Sequence, residues 1–430
     1  MKKALFISYA FPPQGGVGVQ RAVKFLKYLP LYGYECHVIS AKKRFCEFKD
    51  KDLINQLDLS KVHLHNVFSF EPENYLDDVK RSGHKFIRNF FRLVDFLFVP
   101  DEKVFWIMPV ALFGASMVLK YNIDCIFATG DPFSSLLAGY YISKLTGRPL
   151  IVDFRDEWIS GYLLNQGSPR YRWHTSAQKA MEEKVVNYAH KVISVTPSII
   201  DNFIKKYPDK KDKFICIPNG FDEDDFKISD NNGKDKEKFI ILHSGKVYNL
   251  RSPVNFLKSL KLIEKENKEM FDKIKVIFAG HVEDSVKNDI NKLDMEKTVE
   301  FTGFLPHKDI IKLQNETDLN LLILDDAPPA KRVYTAKIFE YLASAANTLV
   351  IAPSNTEVAN LIYKSNTGIV IEDRNDTEGI KEAVSNFINI RESGKIAFEH
   401  NTKFISQFSR RNLAKQLAEV FDESVKAKGR

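Results

Sequence analysis

The strongest constraint on this chain is an alternation. Short apolar runs rich in Val, Ile and Phe are separated by segments of helical period, and the series restarts midway along the sequence. Such an order predicts βαβ units, parallel sheets and an α/β fold. In the first half the expected strands are Ala4 to Ser8, Cys36 to Ser40, Cys125 to Ala128, Leu150 to Phe154, Val192 to Val195 and Phe214 to Ile217. Between the first two, Val19, Ala22, Val23, Leu26 and Leu29 recur at helical spacing until Pro30 and Gly33 stop the helix. In the second half the expected strands are Phe239 to His243, Val276 to Ala279, Val299 to Thr302, Leu319 to Leu324 and Thr348 to Ala352. The heavily charged stretch Asp222 to Lys238 lies between the halves and marks the expected boundary. Two doubly wound domains of about 200 residues each follow, with a cleft at the carboxyl ends of their strands, where such sheets bind ligands.

Composition narrows the class of function. With 44% hydrophobic and 28% charged residues, 20 Gly and 17 Pro in 430 residues, the chain is neither disordered nor fibrous. Its 63 Lys and Arg against 56 Asp and Glu leave a formal charge of +7, too diffuse for a nucleic-acid footprint but favourable to an anionic ligand or membrane surface. Cys36, Cys46, Cys125 and Cys216 are too scattered for a disulfide framework or a zinc site, which points to the cytoplasm. The apolar N-terminus is brief and leads into Phe11-Pro12-Pro13 without a cleavage site, so it reads as a buried strand. The longest uncharged apolar stretch, Ile107 to Leu119, falls short of the ~20 residues that span a bilayer, and no transmembrane helix is expected.

Chemistry should lie in the loops that leave these strands. The first runs from Phe11 to Arg21 and contains Gly15, Gly16 and Gly18, which allow backbone N–H groups and a helix N-terminus to approach an anion; a tight turn also explains it. Arg21 stands where a dinucleotide fingerprint needs a small residue, and Ile39-Ser40 stands where it needs an acid, which argues against a nicotinamide enzyme. In Ala128 to Ser135 either Asp131 or Ser134 can cap the next helix. The segment Asp153-Phe154-Arg155-Asp156-Glu157-Trp158 crowds ionisable groups at the end of a buried strand. Such groups either pair internally, Arg155 with Asp153 or Asp156, or face a cleft. In the second half, Lys246 and Arg251 flank a turn at Gly245, and Lys337 and Glu340 open a later helix. Two fixed cations can neutralise a diphosphate, and a carboxylate can accept both hydroxyls of a ribose; solvated surface charges and a helix-dipole preference are the plain alternatives.

Taken together, FPPQGGVGVQR at 11 to 21, TGDPFSS at 129 to 135, DFRDEW at 153 to 158, IPNGFD at 217 to 222, SGKVYNLRSP at 244 to 253, FTGFLPH at 301 to 307 and TAKIFEYLA at 335 to 343 resemble the family 4 glycosyltransferases of the GT-B fold. The resemblance is to the bacterial branch that builds capsule, exopolysaccharide or O-antigen sugars. It implies two Rossmann-like domains facing a cleft: an acceptor-side domain over 1–220, a nucleotide-sugar domain over 221–408, and a final helix, about 409–430, that crosses back. It also implies transfer from a UDP or GDP sugar to a saccharide or lipid-linked acceptor, without cofactor or metal. A nucleotide-sugar epimerase and an inactive sugar-nucleotide-binding subunit are the competing readings.

Roles follow from the same resemblance. Arg155, Asp156, Lys246 and Arg251 are the expected catalytic residues. The donor would be held by Gly16, Gly245, Lys246, Arg251, the turn Thr302-Gly303-Phe304, Tyr334, Thr335, Ala336, Lys337 and Glu340. The acceptor would meet Gly15, Gly16, Asp131, Asp153 and Trp158. Two departures stand out: Arg332 occupies the place of the family's first Glu, and Arg155 that of a His, which leaves no evident side-chain base and suits a retaining reaction. Asp222 to Asp224 reads as solvated and His63-x-His65 as strand surface, so no metal site is expected. Phe86, Phe90, Leu93 and Leu97, interleaved with Lys85, Arg88 and Arg92, form an amphipathic stretch suited to loose attachment at an anionic membrane.

Overall fold

A computed structural model describes residues 1–42, 52–70, 98–159, 172–226, 237–325 and 327–428. The chain divides into two compact units, Met1–Pro218 with Arg410–Arg430, and Asn219–Ser409. The division falls at Pro218, ahead of the charged stretch that marked it in the sequence. Asp222, expected in solvent, is buried, and its Oδ1 accepts from the Asp224 backbone N–H at 3.1 Å.

In the first unit β1 (Lys2–Ser8), β2 (Tyr34–Lys42), β3 (Val62–Phe68), β4 (Cys125–Gly130), β5 (Leu150–Phe154), β6 (Lys191–Ser194) and β7 (Phe214–Cys216) pair in the order β3-β2-β1-β4-β5-β6-β7, every pair parallel. Among the described residues the longer helices between them are α1 (Val17–Tyr28), α2 (Ile107–Tyr121), α3 (Ser134–Thr146), α4 (Arg172–Tyr188) and α5 (Pro197–Lys206). The second unit repeats the plan with β8 (Phe239–Ser244), β9 (Ile274–Ala279), β10 (Val299–Gly303), β11 (Leu319–Ile323), β12 (Asn347–Ile351) and β13 (Gly368–Ile371), in the order β10-β9-β8-β11-β12-β13. Its helices include α6 (Val254–Glu266), α7 (Asp284–Asn291), α8 (His307–Glu316), α9 (Ala336–Ala343), α10 (Glu357–Ser365) and α11 (Thr377–Glu392). Each sheet therefore reverses direction once, between β1 and β4 and between β8 and β11. That switch point opens a crevice at the carboxyl ends of the strands.

Parallel pairing explains the near-continuous apolar runs: strands covered on both faces cannot alternate with polar residues. Two strands outside the two expected series, β3, which holds the His63-x-His65 pair read as strand surface, and β13, are sheet edges. Their sequences, VHLHNVF and GIVI, are respectively polar at alternate positions and very short. The last helix, α12 (Arg410–Lys428), belongs to the first unit. It buries Leu413, Leu417 and Phe421 in the core, where the Phe421 ring lies 5.3 Å from Tyr34 and 5.8 Å from Phe127.

The helical run Val104–Tyr121, which contains the stretch judged too short to span a bilayer, has the length and hydropathy to cross one, with 39% of it buried. Gly114 in its middle packs against Ile142 of α3 and Ile39 of β2, which makes the run a wall of the first unit's core. Phe105, Met108, Leu112 and Leu119 remain exposed at helical spacing. The amphipathic stretch at 84–99, up to Leu97, and Cys46 lie outside the described residues. Among the described residues Cys36 and Cys125 are buried free thiols.

Candidate active site

At the first unit's switch point the β1 loop ends in Gly16, exposed, with φ 115°, at the N-cap of α1. Its carbonyl accepts the N–H groups of Val19 and Gln20 at 3.1 Å, and Gly15 precedes it half-buried. Arg155, just past β5, reaches across this end of the sheet. Its Nε donates to the Gly130 carbonyl at 2.7 Å and its Nη2 to the Asp131 carbonyl. The guanidinium rests on the first turn of α1: a Cβ at Gly18 would lie 1.8 Å from Arg155 Nη1. The absence of a side chain at Gly18 thus gives the guanidinium its place and brings a cation to a helix N-terminus, where partial positive charge already gathers. Desolvation lowers the Arg155 pKa, against the pull of Asp153, Asp131 and Asp156. Desolvation raises those of Asp131 and Asp156, opposed first by Arg155 in each case.

Two expected acceptor contacts are structural instead. Asp153 is 0% exposed and takes Arg21 in a two-pronged pair, Nε at 3.0 Å and Nη2 at 2.8 Å, together with the Thr129 hydroxyl at 2.8 Å. Arg21 also donates to the carbonyls of Ile217 and Pro218, both at 2.8 Å. The cluster ties α1 to β4, β5 and the chain beyond β7; the Arg155–Asp153 pairing considered from sequence gives way to Arg21. Trp158 is likewise 0% exposed, stacked on Phe133 with centroids 4.6 Å apart, and its indole N–H donates to Gln178. Neither side chain is presented to an acceptor. The cap of α3 is also not local: Asp101 accepts the Ser134 N–H at 2.9 Å and its hydroxyl at 2.6 Å.

In the second unit β8 ends at His243 and Ser244, and the chain turns at Gly245 with φ 119°. That φ favours glycine, and a Cβ there would also lie 2.4 Å from Lys337 Cε. His243 is buried, and its Nδ1 donates to the Leu321 carbonyl at 3.0 Å; its Nε2 faces Lys337 Nζ at 3.3 Å. Burial and the Lys337 charge push the His243 pKa well down. Desolvation, reinforced by Arg251 and opposed by Glu340, brings the Lys337 ammonium down to about 7. Arg251 is held by the buried Asp325 at 3.1 Å and packs over Tyr248. Lys246 stands exposed beside Gly245.

Thr335 caps α9 in position only: its side chain makes no capping bond, and its buried hydroxyl has no partner. Glu340 accepts from His307 Nε2 at 3.0 Å and Gln314 Nε2 at 3.2 Å. A carboxylate has about four lone-pair positions, so two remain for other donors. Gly303 ends β10 with φ 70° and bridges Gly280, while Phe304 is 74% exposed. Thr302 bonds its own turn, at the Gly303 carbonyl. The Tyr334 hydroxyl donates to Glu357 at 3.2 Å, which leaves its backbone and that of Ala336 at the start of α9. Ser252, Val254, Asn255, Ile323, Ile351 and Arg374 line a small concavity of about 100 Å³. Asp325, His307 and Gln314 were not singled out in the sequence.

Two family models match the chain: Glycosyltransferase Family 4 over residues 18–225 and Glycosyl transferases group 1 over residues 224–404. No curated protein matches the sequence. Among solved structures, a glycosyltransferase from Rickettsia africae ESF-5 is similar at 16% identity over 99% of both chains, with a TM-score of 0.66. Anabaena HepE in complex with UDP-glucose is similar at 14% identity over 98% of this chain and 100% of its own, TM-score 0.64. WaaG, a glycosyltransferase involved in lipopolysaccharide biosynthesis, is similar at 13% identity over 97% and 99%, TM-score 0.57. Those identities speak for the fold; the two models, which meet at residues 224–225, speak for the family. The chain is a glycosyltransferase of the GT-B fold and belongs to the family 4 glycosyltransferases.

Proposed function

We propose that this enzyme moves a sugar from a UDP or GDP sugar to a saccharide or lipid-linked acceptor in bacterial surface polysaccharide biosynthesis, with retention and without a metal. The carrying observation is the desolvated cation of Lys337 beside Arg251 and the partnerless Thr335 hydroxyl at the N-terminus of α9. Two cations, of which Arg251 is shared with Asp325, and an unused donor at a helix N-terminus suit a diphosphate. The UDP-glucose bound to HepE and the lipopolysaccharide role of WaaG support the donor class and the pathway.

On this reading Lys246, Arg251, Lys337, Thr335 and the α9 N–H groups, with Gly245 giving room, stabilise the charge that grows on the diphosphate as the C1–O bond breaks. Glu340 takes the ribose hydroxyls with its two free lone-pair positions. Thr302-Gly303-Phe304 lies at the base, and the backbone of Tyr334 and Ala336 at the phosphates. The first unit presents the acceptor near Gly15, Gly16, Asp131, Arg155 and Asp156. The acceptor oxygen bonds C1 while its proton passes to the departing phosphate oxygen, a route that needs no side-chain base and leaves the anomeric configuration unchanged. Loose attachment at the inner face of the cytoplasmic membrane is supported by the exposed Phe105, Met108, Leu112 and Leu119. Lys246→Ala with Arg251→Ala should lower turnover more than donor affinity. Wild-type turnover in the double variant would remove the diphosphate assignment.

A further inference from the structure

The parallel register of β2 and β3 sets His37 opposite His63 and Ile39 opposite His65, and Glu35 shares the His37 face two residues earlier. Four side chains with nitrogen or oxygen donors thus gather on one face at the sheet edge, toward the amino-terminal half of β2. His63 Nε2 lies 3.0 Å from Glu35 Oε1, and His37 Nε2 lies 3.6 Å from the same oxygen. The ligand atoms of Glu35, His37 and His63 all fall within 4.8 Å of one another. His37 is 2% exposed, and its Nε2 is buried without a hydrogen-bond partner. Its Nδ1 is engaged by His65 Nε2 at 3.3 Å, and the Tyr121 ring packs against it with centroids 4.4 Å apart. With Nδ1 donating to His65, the His37 lone pair sits on Nε2 and points into the group formed with Glu35 and His63.

We propose that Glu35 Oε1, His37 Nε2 and His63 Nε2 form a binding site for a divalent metal ion of the zinc class. Metal–ligand bonds of about 2.0 to 2.1 Å in a tetrahedron separate the ligand atoms by about 3.3 Å; the two separations to Glu35, 3.0 and 3.6 Å, straddle that value, and the histidine ligand atoms, within 4.8 Å, close on the ion as it binds. Two imidazoles and a carboxylate suit zinc, cobalt or nickel rather than calcium or magnesium, with water completing the tetrahedron. His65 holds His37 through its second nitrogen, the usual arrangement around a metal-bound histidine. Lys3 Nζ, 3.6 Å from Glu35, is the competing cation and swings away when metal binds. The ion fastens the edge strand β3 to β2 and takes no part in sugar transfer.

The test is a titration of the full chain, its purification tag removed and its metals stripped, with Co²⁺ and with Zn²⁺ against a chromophoric chelator. The expected results are one equivalent of either ion and the visible absorption of tetrahedral Co²⁺. Glu35→Gln and His63→Ala, both at half-buried positions, should weaken binding by at least about 100-fold, and His65→Ala by about 10- to 100-fold. Both ligand variants should keep the wild-type melting temperature in chelator, which shows they are folded. Should the wild type bind less than one equivalent, or should both ligand variants bind as it does, the proposal is overturned.

Discussion

Lys337 gives the sharpest consequence of the donor site. Its ammonium is desolvated and repelled by Arg251, which brings its pKa to about 7 in the free protein. A diphosphate beside it restores an ordinary lysine pKa near 10.4. Because the ligand favours the protonated form, binding above pH 7 must draw a proton from solvent, and affinity falls as pH rises. About half of the free Lys337 is charged at pH 7 and about 3% at pH 8.5, so affinity for UDP or GDP should fall roughly 16-fold, about 1.6 kcal/mol. The terminal phosphate, with a second pKa near 6, acts in the opposite direction and is largely spent by pH 7. Calorimetry at pH 8 in two buffers of different ionisation enthalpy should show uptake of about 0.9 proton per nucleotide. Lys337→Met should abolish both the uptake and the slope. Affinity flat between pH 7 and 8.5, or a slope kept in Lys337→Met, would refute the reasoning.

Other substitutions separate chemistry from support. Gly18→Ala adds a methyl where Arg155 Nη1 now lies and should displace the guanidinium. The melting temperature should hold or rise, since alanine is the better helix former by up to about 1 kcal/mol, while turnover drops at least about tenfold. Asp153→Asn leaves the buried Arg21 guanidinium without its counter-charge and should cost about 3 to 5 kcal/mol in urea denaturation. A cost near zero would show that the pair does not hold α1 to the sheet. Thr335→Val removes a buried hydroxyl with no protein partner, so stability should not fall, but donor affinity should drop about tenfold if that hydroxyl meets phosphate.

The loops were legible because their signal is local. Glycines at Gly16 and Gly245 and the charges at Arg155, Lys246 and Arg251 sit immediately after apolar runs, and a parallel sheet brings such loops to one end. The partners were not legible, because each lies far off in sequence. Arg21 finds Asp153 across 132 positions, Arg251 finds Asp325 across 74, and Glu340 finds His307 across 33. One clue was available: Asp153 falls within an apolar run that must be buried, and a buried carboxylate demands a cation. Trp158 misled for a related reason, since a tryptophan beside charges reads as a ligand platform until Phe133 and Gln178 are seen to enclose it. Of the edge strand β3 only the His63-x-His65 surface was legible, because His63, His65 and Asn66 interrupt its apolar pattern, and His63 joins Glu35 and His37 in the candidate metal cluster.

The central claim is that nucleoside diphosphate release depends on an acceptor. Incubating the protein with UDP and GDP sugars, with and without saccharide or lipid-linked acceptors, and measuring free diphosphate and the sugar products decides it. The account predicts acceptor-dependent release of UDP or GDP with a new glycosidic bond of the donor's anomeric configuration. A sugar altered while still attached to its nucleotide would make the protein an epimerase. Nucleotide sugar that binds but is left intact with every acceptor would make it a binding subunit, and either result would contradict the account.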